Sequence, residues 1–136
     1  MWDCRAYPTE RHDGDTFRVM ADTMFGQRYE PALRLQDVRA PELRQLGGPE
    51  TTQYVDQWLT RTAARLSAVR WPLYVVTTKT RTAEPNQRMT LERYLAVIWP
   101  IDKGTSGIPG SYPVEESLNC AVTQFLAGHQ DWPSGM

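Results

Sequence analysis

Residues 13–42 read DGDTFRVMADTMFGQRYEPALRLQDVRAPE, and the alternation within this stretch decides the fold class. Thr16 to Ala21 alternates as a strand does. The Asp13-Gly14-Asp15 sequence before it is a tight-turn signal, because an Asp-Gly pair tolerates the positive φ of a hairpin. Phe25-Gly26 makes the next turn. Tyr29, Pro31, Leu33 and Leu35 then share one face, with Glu30, Arg34 and Gln36 on the other, which predicts a third strand. Pro31 has no N–H to give a ladder, so it belongs at a sheet edge or a bulge. Ala40-Pro41-Glu42 ends the strand and turns the chain.

On the N-terminal side, Arg5 to Arg11 reads as a short polar strand. On the C-terminal side, Gly47-Gly48-Pro49 starts a helix. Its Tyr54, Val55, Trp58, Leu59, Thr62, Ala63 and Leu66 recur at three- and four-residue spacing. Trp71 to Thr80 is rich in β-branched and aromatic residues, which favours a strand. Thr82 to Thr90 is a polar loop. Leu91 to Trp99 returns as a strand, with Leu91, Arg93, Leu95, Val97 and Trp99 on one side. Residues 102–113 are broken by glycine and proline into a loop, and Leu118, Ala121, Val122, Phe125 and Leu126 mark a last short helix. Gln130 to Met136 is expected to be a loosely held tail. The order β-β-β-α-β-β-α predicts a mainly β, α+β domain spanning residues 1–136, a five-stranded OB-fold barrel with helices.

The bulk properties agree with one soluble domain. The chain has 136 residues, 40% hydrophobic and 23% charged, enough for one core. The net charge of −1 gives no overall basic field, so any nucleic-acid site has to be local. The first residues carry charges and no apolar run, and no stretch reaches the ~20 apolar residues of a membrane helix. An intracellular, cytoplasmic location without membrane contact is the expectation. Cys4 and Cys120 read as two small buried or half-buried thiols. His12 and His129 read as surface residues, and no His/Cys cluster has zinc spacing. Trp58, Trp71 and Trp99 fit core positions, whereas Trp2 and Trp132 read as exposed anchors for a partner.

Taken together, four motifs carry more than any one of them. Asp13-Gly14-Asp15-Thr16, Leu33-Arg34-Leu35, Val38-Arg39-Ala40-Pro41-Glu42 and Arg93-Tyr94-Leu95-Ala96 resemble the staphylococcal nuclease (thermonuclease) family. Thr77-Thr78-Lys79 and Ser117-Leu118-Asn119 also look like it, so the resemblance runs through residues 10–128. It implies a staphylococcal-nuclease-like OB fold and a Ca²⁺-dependent endonuclease, a phosphodiesterase cutting DNA or RNA backbones with little sequence preference. Carried over by position, Asp15 would be a metal ligand. Glu42 would position or deprotonate the attacking water, and Arg34 and Arg93 would hold the scissile phosphate. The chemistry suits these residue types. Planar guanidinium forks match phosphate oxygens and stay charged at neutral pH. A carboxylate can take a proton from water, and a cation can polarise the phosphoryl oxygen.

The pattern departs from the family at Arg39, where a second metal-binding aspartate normally stands. A guanidinium there repels a cation, and it could pair with Asp15 or bind the phosphate itself. Asp37 lies two residues away, ~6.5–7 Å along an extended strand, whereas Ca²⁺ ligands must come within ~2.3–2.6 Å. Asp37 therefore serves only if the backbone bulges there, or if its side chain and the ion both shift. Glu92 replaces the glycine usual before the arginine, and the loop before it lacks the family's short approach. Three readings stay open: a nuclease, an inactive nucleic-acid-binding module, and a structural subunit of a larger assembly with protein partners. DNA and RNA are not distinguished, because the inferred chemistry reads the backbone.

Overall fold

Pro31 splits the strand expected between Tyr29 and Gln36 into two pieces. In the computed structural model, which describes residues 2–11, 14–79, 93–103 and 112–133, β3 (Gln27–Tyr29) stops before the proline and β4 (Ala32–Leu35) starts after it. Both pieces pair antiparallel with β2 (Thr16–Met24), and the Pro31 carbonyl still accepts from Val19 N at 3.4 Å. The missing N–H thus interrupts the strand without detaching it. Phe25 and Gly26 turn the β2–β3 hairpin with φ of 52° and 76°, the positive values such a turn requires.

The first strand is longer than expected: β1 runs Trp2–Arg11 and pairs with two neighbours. Residues 2–6 pair with β5 (Leu73–Lys79) and residues 5–11 with β2. The two pairings overlap at Arg5 and Ala6, and a register shift between Pro8 and Glu10 interrupts the β2 pairing farther along the strand. β6 (Arg93–Pro100) pairs antiparallel with β5 and parallel with β4. The ring β1-β5-β6-β4-β2 closes through the β1–β2 pairing, with β3 as an appendage, and makes a five-stranded, OB-like barrel. Helix α1 (Gly48–Arg65) connects β4 to β5, and α2 (Leu118–Ala127) follows β6. No helix among the described residues is long and apolar enough to cross a membrane.

Inward-facing residues fill the barrel: Phe17, Val19, Leu33, Leu35, Leu73, Val75, Ala96 and Ile98. Val55 and Leu59 of α1 and Leu118 and Val122 of α2 close it, so the helical periodicity read from the sequence is the packing face. Val97 and Trp99 share one side of β6, as expected, but that side is not the barrel interior. Ala96 and Ile98 enter the barrel core, while Val97 and Trp99 join a second cluster with Tyr74 and Tyr112 on the other side of the sheet. Tyr112 supplies the cover, its ring stacked 4.2 Å from Tyr74, and Trp99 Nε1 donates to the Pro113 carbonyl at 2.7 Å. Both faces of β6 are therefore covered. Alternation alone cannot say which of two buried faces is the barrel interior.

Cys4 and Cys120 are unpaired, half-buried thiols. Burial, reinforced by Asp3 and Asp22, pushes the Cys4 thiol up to about 11. Burial and donation to Asp3 Oδ2 at 2.7 Å likewise hold the Tyr74 hydroxyl above the ordinary phenol range. Both groups keep their protons more tightly folded than unfolded. The thiol's stabilisation is full below its unfolded value of 9.0 and is lost as pH rises toward 11, whereas that of the phenol starts to be lost only above its unfolded value of 10.0. The urea midpoint is expected to fall between pH 9.0 and 11, and less steeply in Cys4→Ala. A midpoint flat across that window would contradict the assignment.

Candidate functional site

Asp15 and Arg34 meet because their strands are neighbours. Thr16 is in register with Arg34, and Leu35 N donates to the Asp15 carbonyl at 2.8 Å. Leu33 and Leu35 are core residues, so the alternating pleat turns Arg34 away from the core. Arg34 Nε lies 3.9 Å from Asp15 Oδ2, with the two side chains 35% and 9% exposed. Thr16 Oγ1 donates to the other carboxylate oxygen, Oδ1, at 3.1 Å. A buried carboxylate thus holds a guanidinium whose outer edge still reaches solvent, an arrangement able to receive a phosphate oxygen.

Arg93 enters at the level of the backbone. The parallel β4–β6 register sets it opposite Ala32, two residues from Arg34. Its side chain lies outside the described residues, as do His12, Asp13, Glu92 and the Thr82–Thr90 loop.

Glu42 and Arg39 lie on the segment that leads from β4 to α1. Gly14 anchors this segment beside Asp15: a Cβ at Gly14 would sit 2.4 Å from Thr51 Cγ2 and 2.9 Å from Ala40 Cβ. Gly14 is therefore needed for close approach of the Thr51 side chain of α1 and of the Ala40 methyl group, whatever its φ. Pro41 is buried, whereas Arg39 and Glu42 on either side are exposed. Glu42 N donates to Gln45 Oε1 at 2.8 Å and its carbonyl accepts from Gln45 N at 2.9 Å. The backbone of Glu42 is thus fixed in a turn while its carboxylate faces water.

Asp37 does sit on irregular backbone, the first of the two conditions under which it could serve. β4 ends at Leu35, Asp37 has φ of 60°, and Val38 N folds back to the Leu35 carbonyl at 3.4 Å. The extended-strand distance no longer applies, but the Asp37 residue is exposed in this turn. Among the described residues no three His, Cys, Asp or Glu side chains form a metal-binding group. Ca²⁺ takes six to eight oxygens. Among the described residues, one Asp15 oxygen accepts from Thr16 and the other faces Arg34.

The sequence reading missed Asn119 as a support of the site. Its Oδ1 accepts from Ile98 N at 3.1 Å, and its Nδ2 donates to the carbonyls of Gln36 and Ala96, both at 2.9 Å. A helix residue thereby bonds β6 to the point where the chain leaves β4 toward Arg39 and Glu42. The signal was Ser117-Leu118-Asn119 itself. Ser117 caps α2, accepting from Cys120 N, and the cap places Asn119 in the first turn facing the barrel.

The expectation for Trp132 is corrected. It is half-buried, stacked on His129 with ring centroids 3.8 Å apart, and is no exposed anchor. The side chain of Trp2 lies outside the description. Trp71 is buried, with Tyr7 stacked on it and Arg28 and Arg70 over its ring.

A shallow cleft of about 330 Å³ lies elsewhere, lined by Trp58, Arg61, Arg65, Pro100, Lys103 and Glu116. It flanks the C-terminal half of α1. Thr51, which packs on Gly14, is ~15–21 Å up the helix from Arg61 and Arg65 at 1.5 Å per residue. The Asp15–Arg34 pair is thus separate from it. No family model and no curated protein matches the chain.

Proposed function

We propose that this chain is a nuclease-like phosphodiesterase that hydrolyses DNA or RNA backbones with little sequence preference. The observation that carries the reading is the Asp15–Arg34 pair on adjacent strands of an OB-like barrel, 3.9 Å apart, with the Arg93 position two residues along the neighbouring strand. Further support is the resemblance of the Asp15, Arg34, Glu42 and Arg93 motifs to the staphylococcal nuclease family. In this reading Arg34 and Arg93 bind non-bridging phosphate oxygens and offset the negative charge that grows on them. Glu42 takes a proton from water as the water oxygen bonds to phosphorus. The opposite phosphorus–oxygen bond breaks, and the departing alkoxide is protonated by solvent. Arg39 supplies further positive charge for the polyanion. No step is assigned to an ion, because both Asp15 carboxylate oxygens already face a protein partner.

A second reading, a module that grips nucleic acid or serves an assembly without cutting, is favoured by the same engaged Asp15 carboxylate. Cleavage of end-labelled single-stranded DNA and RNA across a Ca²⁺ titration and in excess chelator separates them. The expected result is cleavage that chelator changes by no more than a few-fold. Tight stoichiometric Ca²⁺ binding by calorimetry, with activity that follows it, would overturn the metal-free form. Folded protein that cuts neither polymer under any condition would leave only the second reading.

A further inference from the structure

The turn that carries Glu42 is exposed along its outer side: Glu42, Leu43, Arg44 and Leu46 all face solvent. Its inner side is held at two glycines. Gly47 caps α1 with φ of 85°, a left-handed conformation that favours glycine. A Cβ at Gly48 would lie 2.0 Å from the Glu42 carbonyl oxygen, so the helix start rests directly on the Glu42 backbone. On the other side of the same pair, a Cβ at Gly47 would lie 2.1 Å from Trp132 Cδ2. The indole of the C-terminal segment is pressed flat against Gly47, with the Glu42 carbonyl against Gly48 beside it.

Trp132 is itself braced. Its ring stacks on His129 at 3.8 Å and meets Phe125 edge-on at 5.8 Å, and Phe125 stacks on Tyr54 of α1 at 4.4 Å. Trp132 N donates to the His129 carbonyl at 3.0 Å. A row of aromatic rings therefore runs from α1 through α2 to the C-terminal segment and ends on Gly47, at the end of the Glu42 turn. An exposed turn of six residues has little packing of its own, and a misplacement of about 1 Å at a reacting group can cost on the order of a hundredfold in rate.

We infer that Trp132 is a positioning residue for Glu42: by backing Gly47-Gly48 it sets where the Glu42 carboxylate stands relative to the barrel arginines. The inference rests on the reading of Glu42 given above. Arg34 and Arg93 are carried by the sheet, so substrate binding does not depend on this brace. Chemistry does.

The test combines kinetics with amide hydrogen exchange in the full chain. Trp132→Ala is expected to lower kcat about tenfold with KM within twofold, and Trp132→Phe, which keeps a flat ring on Gly47, is expected to recover most of it. In parallel, exchange at the Gln45 and Gly48 amides, which donate to the Glu42 and Gln45 carbonyls at 2.9 Å each, should speed up in Trp132→Ala. Val75 and Ile98 in the sheet serve as controls for global unfolding, and Trp132→Leu replaces the alanine variant if those controls also accelerate. Unchanged kcat, or an equal rise in KM, would overturn the positioning role. Faster exchange at Gln45 and Gly48 in a protein that cuts no nucleic acid would keep the brace and remove the reading of Glu42. Unchanged exchange at both amides would overturn the brace whatever the activity.

Discussion

Glu42→Gln is expected to reduce cleavage of single-stranded DNA or RNA by two to three orders of magnitude while leaving the melting temperature within about a degree. The size follows from the role: a positioned general base contributes about 10²–10⁴-fold, and an amide of the same shape cannot accept the water's proton. The stability side follows from the structure. Glu42 is exposed, and its turn is held through backbone atoms, N to Gln45 Oε1 and carbonyl from Gln45 N, which glutamine retains. Arg34→Lys is the informative companion. Lysine keeps the charge near Asp15 but loses the fork, so it should weaken phosphate binding and cleavage together, whereas Glu42→Gln leaves binding intact. The measurement is kcat and KM on a labelled oligonucleotide, with thermal unfolding of each variant. Activity in Glu42→Gln within a few-fold of the parent would remove the general-base assignment.

Asn119→Ala is expected to be the most damaging polar substitution in the fold, costing about 3 kcal/mol. Three bonds are lost, but not three partners. The Ala96 carbonyl keeps the Gln36 N–H at 2.9 Å, whereas Ile98 N and the Gln36 carbonyl lose their Asn119 partner. Each buried group left without a partner costs about 1–3 kcal/mol. In a domain of this size that corresponds to a fall of roughly 10 °C in melting temperature. The damage is local as well as global, because the Gln36 carbonyl sits where the chain leaves the barrel for Arg39 and Glu42. Activity should therefore fall even at temperatures where the variant is fully folded. Chemical denaturation and an activity assay well below the midpoint test both parts. A loss under 1 kcal/mol would mean that another group takes over both partners.

The hairpin at Phe25-Gly26, the α1 face and the OB-like barrel were legible from residues near one another in the chain. Alternation with a period of two, recurrence every three to four residues, and turn pairs that accept positive φ are local properties. The motifs around Asp15, Arg34 and Glu42 were legible for the same reason, as short strings with fixed spacing. Less legible were the features that depend on what arrives from elsewhere. Tyr112 and Pro113 cover the outer face of β6, which made its inward side ambiguous.

What the sequence determined by itself is thus a set of elements and a short list of chemically capable side chains, because backbone sterics and apolar periodicity act within a few residues. Only the tertiary structure decided which of those side chains meet. It put Arg34 3.9 Å from Asp15 across a strand pair, set Asn119 of α2 on the carbonyl of Gln36, and pressed Trp132 onto Gly47. These contacts join residues far apart in the chain, so they exist only once the barrel closes and its helices pack. No local rule of conformation encodes them, and close packing of the folded chain is their cause.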